Sequence, residues 1–386
     1  MLHIFRRIAQ GQSASIDTEE AAAFDSCSAY HTSPEILFVS HCVPNPPDKG
    51  ERIRAFHELK FLAKYFRVHL VCFAKHSSEV PYALELRNCC ESVHVEVLRP
   101  YLSLARAAVQ FGLGHSLTAS YYDVPELREY VNTLAATRRL SATVCFSVAV
   151  ASYAPPAIPL FADFVDIDSE KWLQYGSMRQ PSFAYRLEAR RIRHHETEIA
   201  LRSRCSFLTT GPEVELLHSF VPGAIAEVVE NGVDFDHFDP AKLCIKGDSH
   251  GTPAMVFTGV MNYYPNVQAV CSFASNIFPT LRQRYPDLRF LIVGRNPSGA
   301  VQKLTSIPGI TVTGAVPDIR PYIASSAAVI APIEIARGIQ NKVLEALAMG
   351  KTVLCSPAVC STFGSTVPRG VMRCATAEEF LYSLSE

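Results

Sequence analysis

The chain predicts two α/β domains in tandem, each an open parallel sheet covered by helices on both faces. Three observations lead there. Its 386 residues exceed what a single core organises comfortably. Short apolar runs alternate with segments of helical periodicity along most of the length. That alternation stops in a polar stretch after residue 240 and then starts again.

The first series opens with "EILFVSH" (35–41), an apolar run bounded by turn residues, and "ERIRAFHELKFLAKYF" (51–66) follows with helical spacing. Further strand-like runs are "VHLVCFA" (68–74), "VHVEVL" (93–98), "ATVCFSV" (142–148), "LFADFVDI" (160–167) and "CSFLTT" (205–210). Helical stretches separate them, notably 124–140 and the long 183–204. The second series has strands at 254–260, 288–294, 309–314, 327–333 and 352–356, with a helix from Asn266 and another inside "ARGIQNKVLEALAMGKTV" (336–353). The expected division is therefore a polar, poorly ordered extension at 1–33, a first domain at 34–240, a linker at 241–253 and a second domain at 254–386. Two such domains place a cleft between the carboxyl ends of their sheets, where doubly wound folds bind ligands.

Composition narrows the function classes. A net charge of −1 argues against nucleic acid as the main partner, because phosphate binding leaves a basic surplus. No apolar run is long enough to span a bilayer, and residues 1–33 lack the apolar core of a signal peptide. The twelve cysteines form no C-x-x-C pair, and several lie inside apolar runs. Buried reduced thiols, and hence a cytoplasmic protein, are expected.

Several motifs carry chemistry, each beside a plainer alternative. In "HCVPNPPDKGERIRAF" (41–56), Gly50 turns the backbone into a helix whose free N–H groups, with Lys49, form a candidate anion site. The plainer alternative is a helix start capped by Asp48. "FVDIDSEKW" (164–172) leaves a strand with Asp166 and Asp168; such a pair holds a metal in some sugar transferases, but hydrogen-bonding or capping carboxylates are the expectation. "RLEARRIRHHETE" (186–198) is either a solvated helix face or a contact for an anionic membrane surface or lipid-linked diphosphate. "NGVD" (231–234) is a turn signal, and "LIVGRNP" (291–297) leaves Arg295 at the rim. No G-x-G-x-x-G follows a strand, which counts against a dinucleotide cofactor.

The segment 336–353 is the most informative. Its apolar face is expected to be Val343, Leu344, Leu347 and Ala348, with Lys342 and Glu345 near one another on the helix surface. Gly338 permits close approach of a ligand to the backbone, the helix N-terminus favours an anion, and Arg337 and Lys342 add charge. Glu345 is placed to accept from paired sugar hydroxyls. Phosphate beside ribose is the shape of a nucleoside diphosphate. The alternative is a surface ion pair.

"NGVD…F.P", "FTGVMNYYPN", "LIVG", "TVTGAVPD" and "KVLEALAMGKTV" occur in an order that resembles the GT-B glycosyltransferases, specifically the retaining family-4 sugar transferases. The match runs from about Ile36 to the end. "PDKGERIRAF", "FVDIDSEKW" and "RGIQNKVLEALAMG" look closest to the sugar transferases of the PEP-CTERM/exosortase system of exopolysaccharide-producing bacteria. Glu345 matches the second glutamate of the family's E-x7-E motif, which holds the nucleotide ribose. Arg337 stands where the first, sugar-contacting glutamate usually does, and Gly338 matches the glycine after it. The loop 260–266 lacks the diphosphate-binding cations many members carry, and Arg337 and Lys342 are expected to supply that charge instead. Related chains continue with a helix that crosses back to the first domain, whereas this sequence stops at "TAEEFLYSLSE".

The resemblance implies a GT-B fold and transfer of a sugar from a nucleoside-diphosphate sugar, with retention, in exopolysaccharide or cell-surface glycan synthesis. Arg337, Lys342 and Asp168 are the candidate catalytic residues. Glu345, Gly338, Ile339, Gln340, Asn341, Arg295, Gly259 and Asn266 are the donor-binding candidates. Lys49, Gly50, Arg52 and Asp166 form the acceptor-side loop. No metal or cofactor is expected. The implied partners are the donor and a glycan or lipid-linked glycan acceptor, with peripheral contact at the inner face of the cytoplasmic membrane. The alternatives are a non-catalytic nucleotide-sugar-binding GT-B protein and a GT-B sugar-nucleotide epimerase.

Overall fold

The computed structural model describes residues 33–243 and 253–385. The expected N-terminal extension, apart from Ser33, and residues 244–252 of the expected linker lie outside them. The chain divides into two units by its contacts: one runs to Leu208 and adds Glu213–Val229, the other takes Thr209–Pro212 and everything from Glu230.

The first unit is a seven-stranded sheet of β1 (Glu35–Ser40), β2 (Arg67–Ala74), β3 (Ser92–Val97), β4 (Leu140–Phe146), β5 (Leu160–Val165), β6 (Cys205–Leu208) and β7 (Ala226–Val228). Their order across the sheet is β3-β2-β1-β4-β5-β6-β7, with every neighbouring pair parallel. Parallel strands need crossovers, and helices on both faces supply them. β1 shows the consequence. Ile36 and Phe38 enter one core, while Leu37 and Val39 enter the other, because successive side chains point to opposite faces. Chain order reverses between β1 and β4, which is where such sheets open a crevice at their carboxyl ends.

The second unit has six strands: β8 (Ala254–Thr258), β9 (Arg289–Val293), β10 (Ile310–Gly314), β11 (Ala328–Ala331), β12 (Val353–Cys355) and β13 (Val371–Arg373). They run in the order β10-β9-β8-β11-β12-β13, again all parallel. Met255, Phe257, Phe273, Phe290 and Phe380 build its main core, and chain order reverses between β8 and β11.

Local differences from the sequence expectation have physical reasons. β7 and β13 were not anticipated; each is three residues long and only partly buried at a sheet edge, so neither shows an extended apolar run. The helix expected from Asn266 starts at Tyr264, since Pro265 fits a first helical turn. The helix expected at 336–353 is confined to Asn341–Ala348, and Arg337–Gln340 form an irregular lead-in. Its inward face is Lys342, Val343 and Ala346, so Lys342 is buried rather than on the surface.

Candidate functional site

In the second unit the carboxyl ends of β8 and β9 meet without intervening side chains. Gly259 and Gly294 follow them with φ of +156° and +155°. A Cβ on Gly294 would fall 1.6 Å from the Gly259 carbonyl oxygen, so only glycine fits there. Backbone bonds from Met261 N–H to Arg295 O (2.9 Å) and from Ser298 N–H to Met261 O (3.1 Å) join the two loops.

Lys342 enters the space this leaves. Its ammonium lies 3.9 Å from the Phe257 ring centroid and donates to Asn266 Oδ1 at 2.9 Å. Asn266 Nδ2 donates to the Val260 carbonyl at 3.0 Å. A Cβ on Gly259 would meet Asn266 Nδ2 at 2.8 Å and Lys342 Nζ at 3.3 Å, so this glycine gives both polar groups their room. Burial pushes Lys342 down to about 7, against the opposing influence of the Glu345 carboxylate. Burial likewise pushes Glu345 up to about 7, opposed by Lys342. Instead of pairing on an exposed helix face, Lys342 is buried on Asn266 and Glu345 is half-buried, each held near the point of losing its charge.

The lead-in to the helix is pinned. Gly338 has φ of +62°, a conformation that favours glycine. Gln340 Nε2 donates to the Arg337 and Gly338 carbonyls at 3.3 and 3.4 Å. Asn231 Nδ2 donates to the Ile339 carbonyl at 3.0 Å, so "NGVD" does more than turn the chain. Asn341 opens the helix, and Arg337 and Arg295 are half-buried.

The other candidates belong to the first unit. The residue before the Gly50–Leu62 helix is Lys49, with no side-chain cap, so Asp48 does not cap it as expected. Asp48 instead accepts from Arg52 at 3.4 Å, and Arg52 also donates to Glu79. Arg52 is buried in these ion pairs. Lys49 lies 3.8 Å from Glu51, as does Lys75, while His41 approaches the same carboxylate at 3.6 Å. Burial opposes the charge on Glu51, but the His41 hydrogen bond and the charges of His41, Lys75 and Lys49 hold it well below the usual carboxylate range. His41 stacks on Phe146 at 5.3 Å, and its amide donates to Phe146 O at 2.8 Å. It therefore stands where β1 and β4 diverge.

A second polar group lies beneath. Arg54 Nε and Nη2 donate to the two oxygens of buried Asp163 at 2.6 and 3.0 Å, and Nη1 donates to Val229 O at 2.7 Å. Glu58 is buried beside them, and burial together with the Asp163 charge raises it well above the usual range despite Arg54. Asp163 Oδ1 accepts from Val165 N–H at 2.9 Å, and Val165 has φ of +65°. A β-branched residue there is strained, and the strain lies directly before Asp166 and Asp168. Asp168 pairs with Lys171 at 2.8 Å at the first turn of the Asp168–Met178 helix. Among the described residues no cluster of three or more His, Cys, Asp or Glu is arranged to hold a metal.

The structure thus gathers Lys342, Glu345, Asn266 and Gly259 in one unit and the Lys49 loop in the other. Sequence reasoning missed His41, Glu51, Lys75 and the Arg54–Asp163 pair. His41, Glu51 and Arg54 stood inside one quoted loop and Asp163 inside a quoted strand, but nothing in the sequence paired Arg54 with Asp163, 109 positions apart.

Residues 252–379 match the family model described as glycosyl transferases group 1. Solved structures share the fold at low identity. Alr3699/HepE of Anabaena, solved in complex with UDP and glucose, is 14% identical, with 91% of this chain and 89% of that chain covered and a TM-score of 0.59. WaaG, a glycosyltransferase involved in lipopolysaccharide biosynthesis, is 12% identical over 91% and 90%, with a TM-score of 0.57. A glycosyltransferase from Rickettsia africae is 15% identical over 92% and 88%, with a TM-score of 0.53. No curated protein sequence matches significantly. The fold is therefore GT-B, and the stretch of the second unit at 252–379 matches the group 1 glycosyl transferase model.

Proposed function

We propose that the chain transfers a sugar, a hexose with its anomeric configuration retained, from a nucleoside-diphosphate sugar bound at the carboxyl edge of the second unit's sheet. The observation that carries this is the Lys342 ammonium, buried over Phe257 and held on Asn266 beside glycine-only backbone, three residues from Glu345. Burying an amine without a partner anion is costly, and a diphosphate arriving there would restore its charge.

In this reading Asn266 positions the lysine, and Gly259 leaves the diphosphate room. Arg337, Gly338, Ile339, Gln340, Asn341 and Arg295 line the approach, and Glu345 accepts from ribose hydroxyls. As the glycosidic bond breaks, charge grows on the leaving diphosphate. A fixed ammonium aimed at it, with the Arg337 guanidinium, lowers the barrier because it need not reorganise during the reaction. Lys49, Gly50, Arg52, Asp166 and Asp168 belong to the acceptor side, where the His41–Glu51–Lys75 group joins them. The acceptor is a glycan or lipid-linked glycan, and the setting is cell-surface or exopolysaccharide synthesis.

Thermal unfolding with a panel of nucleoside diphosphates and their sugars tests the reading. UDP and UDP-glucose come first, since the Anabaena structures are described as complexes with them. A ligand at ~100 times its dissociation constant adds about 2.7 kcal/mol of stability. The shift is expected in the wild type and lost in Glu345→Ala. No shift with any nucleotide would overturn it. One observation favours a second reading, a donor-binding protein without transfer: Arg337 occupies the position of a sugar-contacting glutamate in the family it resembles. That reading predicts the same thermal shift with no sugar release in any acceptor mixture.

A further inference from the structure

Cys89 and Cys90 are adjacent in sequence, and their sulfurs lie 4.0 Å apart. Neighbouring residues of an extended strand point to opposite faces, so two such side chains meet only where the backbone turns. Here it turns. Leu86–Asn88 form a single 3-10 turn, and Cys89 follows with φ of −131° and ψ of −6°. One carbonyl fixes the pair: Leu86 O accepts from the Cys89 and Cys90 amides, each at 3.0 Å, and from Cys89 Sγ at 3.3 Å. On the other side the Glu91 amide donates to Val68 O at 2.8 Å and leads into β3. The turn is thus held both before and after the two cysteines.

This dithiol sits at the amino ends of β2 and β3, the edge of the sheet opposite the crevice. It is a surface feature. Asn88 and Glu91 are exposed and Cys89 is half-buried, while Cys90 enters the core that also holds Leu86 and Cys72. Among the described cysteines only Cys89 and Cys271 are not buried. Cys355 also has a close sulfur, that of Cys360, but both of those are buried.

What the pair can hold follows from spacing and number. One atom bonded to both sulfurs at about 2.3 Å, the length of a metal–thiolate bond, sets them about 3.8 Å apart at a tetrahedral angle. The two sulfurs are close to that separation already. A structural zinc ion takes four ligands, and among the described residues no group of three or more His, Cys, Asp or Glu is arranged to hold a metal. A trivalent arsenic that carries one organic substituent has two bonds to give, and two thiols complete it. Oxidation suits the pair less well. Burial and the neighbouring Cys89 push the Cys90 thiol up, against the Lys60 ammonium, and oxidants attack the thiolate.

We propose that Cys89 and Cys90 form a chelating site for trivalent arsenicals of the type R–As=O. Each sulfur forms one bond to arsenic, and the two thiol protons leave with the oxide as water. Arsenic stays trivalent and the sulfurs keep their oxidation state, so the step needs no oxidant or reductant.

Phenylarsine oxide at one equivalent, added to the folded full chain and read by intact mass and peptide mapping, is the test. One adduct per chain is expected, on the peptide that carries both cysteines. It should persist in excess glutathione, a monothiol, and be removed by dimercaptopropanol, a dithiol, because only a second chelator competes for both bonds at once. Cys89→Ser should weaken capture about a hundredfold or more, since the second bond then has no sulfur. Cys89 is half-buried, so the unfolding temperature of that variant should match the wild type. Should it not, Cys90→Ala repeats the measurement at the other sulfur. Cys271→Ser, at a half-buried thiol elsewhere, should leave capture unchanged. Absence of an adduct on the folded chain overturns the proposal. So does an adduct mapped to other cysteines, Cys27 and Cys244 included, or one that Cys89→Ser leaves intact or glutathione strips.

Discussion

Gly294 and Gly259 touch backbone to backbone: a methyl on Gly294 would lie 1.6 Å from the Gly259 carbonyl oxygen, less than any non-bonded contact allows. That proximity lets β8 and β9 end level with one another and leaves the opening into which Lys342 reaches. Gly294→Ala should therefore destabilise the second unit by about 3 kcal/mol or more, since backbone must move and not a flexible side chain. Gly299, at the start of the Gly299–Lys303 helix, has no atom within 4 Å of a built Cβ, and Gly299→Ala should be neutral or slightly stabilising. Denaturant melts of the two variants check the contrast.

Lys342 should take up a proton when an anionic ligand binds. Burial holds its folded pKa near 7, so it is largely neutral somewhat above that pH, and a diphosphate alongside would raise the pKa again. Calorimetry at pH 8 in buffers of different ionisation enthalpy should show uptake in the wild type and none in Lys342→Met. Without ligand the pair has its own pH signature. The raised Glu345 pKa makes stability fall between about 4.5 and 7, and the lowered Lys342 pKa makes it rise between about 7 and 10.5. The difference in stability between the wild type and the Lys342→Met, Glu345→Gln double variant should have its minimum near 7.

Arg54→Leu should be among the most damaging substitutions in the first unit. It leaves Asp163 buried without its cation and the Val229 carbonyl without its donor, a loss of about 3–5 kcal/mol. Glu58 behaves oppositely. Its folded pKa is raised, so its contribution is fully present below the unfolded value and is lost as pH rises through the folded one. Glu58→Gln should then gain stability relative to wild type in alkaline buffer, which urea titrations at paired pH values would show.

Glu188 accepts from Ser116 Oγ, Leu117 N–H, Thr118 N–H and Thr118 Oγ1, all within 2.8–2.9 Å. It ties the start of the Leu117–Tyr121 helix to Ser182–Arg202. Glu188→Ala leaves these donors without their shared acceptor and should cost about 2–3 kcal/mol. Hydrogen exchange should quicken first over residues 100–121.

The strands were legible because buried parallel strands are apolar runs between turn residues, as "EILFVSH" shows; "LRFLIVG" became β9 almost unchanged. β7 and β13 escaped because three partly buried edge residues are too short a run to carry such a pattern. The Pro100–Gly112 helix escaped for a different reason: its apolar residues face outward, so they do not mark an inner face. At the site, Lys342 and Glu345 were legible from their neighbours in sequence. Their burial was not, since it depends on Phe257, Gly259 and Asn266, brought in from another element of the fold. The His41–Glu51–Lys75 group and the Arg54–Asp163 pair are likewise products of strand order, which no local pattern encodes.

The buried cysteines give the molecule a built-in set of clocks. All ten described cysteines are free thiols, and burial pushes Cys42, Cys145 and Cys205 up to about 12 and Cys355 higher still. A thiol reagent reaches such sulfurs only when the surrounding structure opens, because both access and the reactive thiolate are withheld. Cys42, Cys145 and Cys205 time the opening of one unit, and Cys355, Cys360 and Cys374 that of the other. Peptide-resolved labelling can thus time both units in a single tube, without any engineered probe.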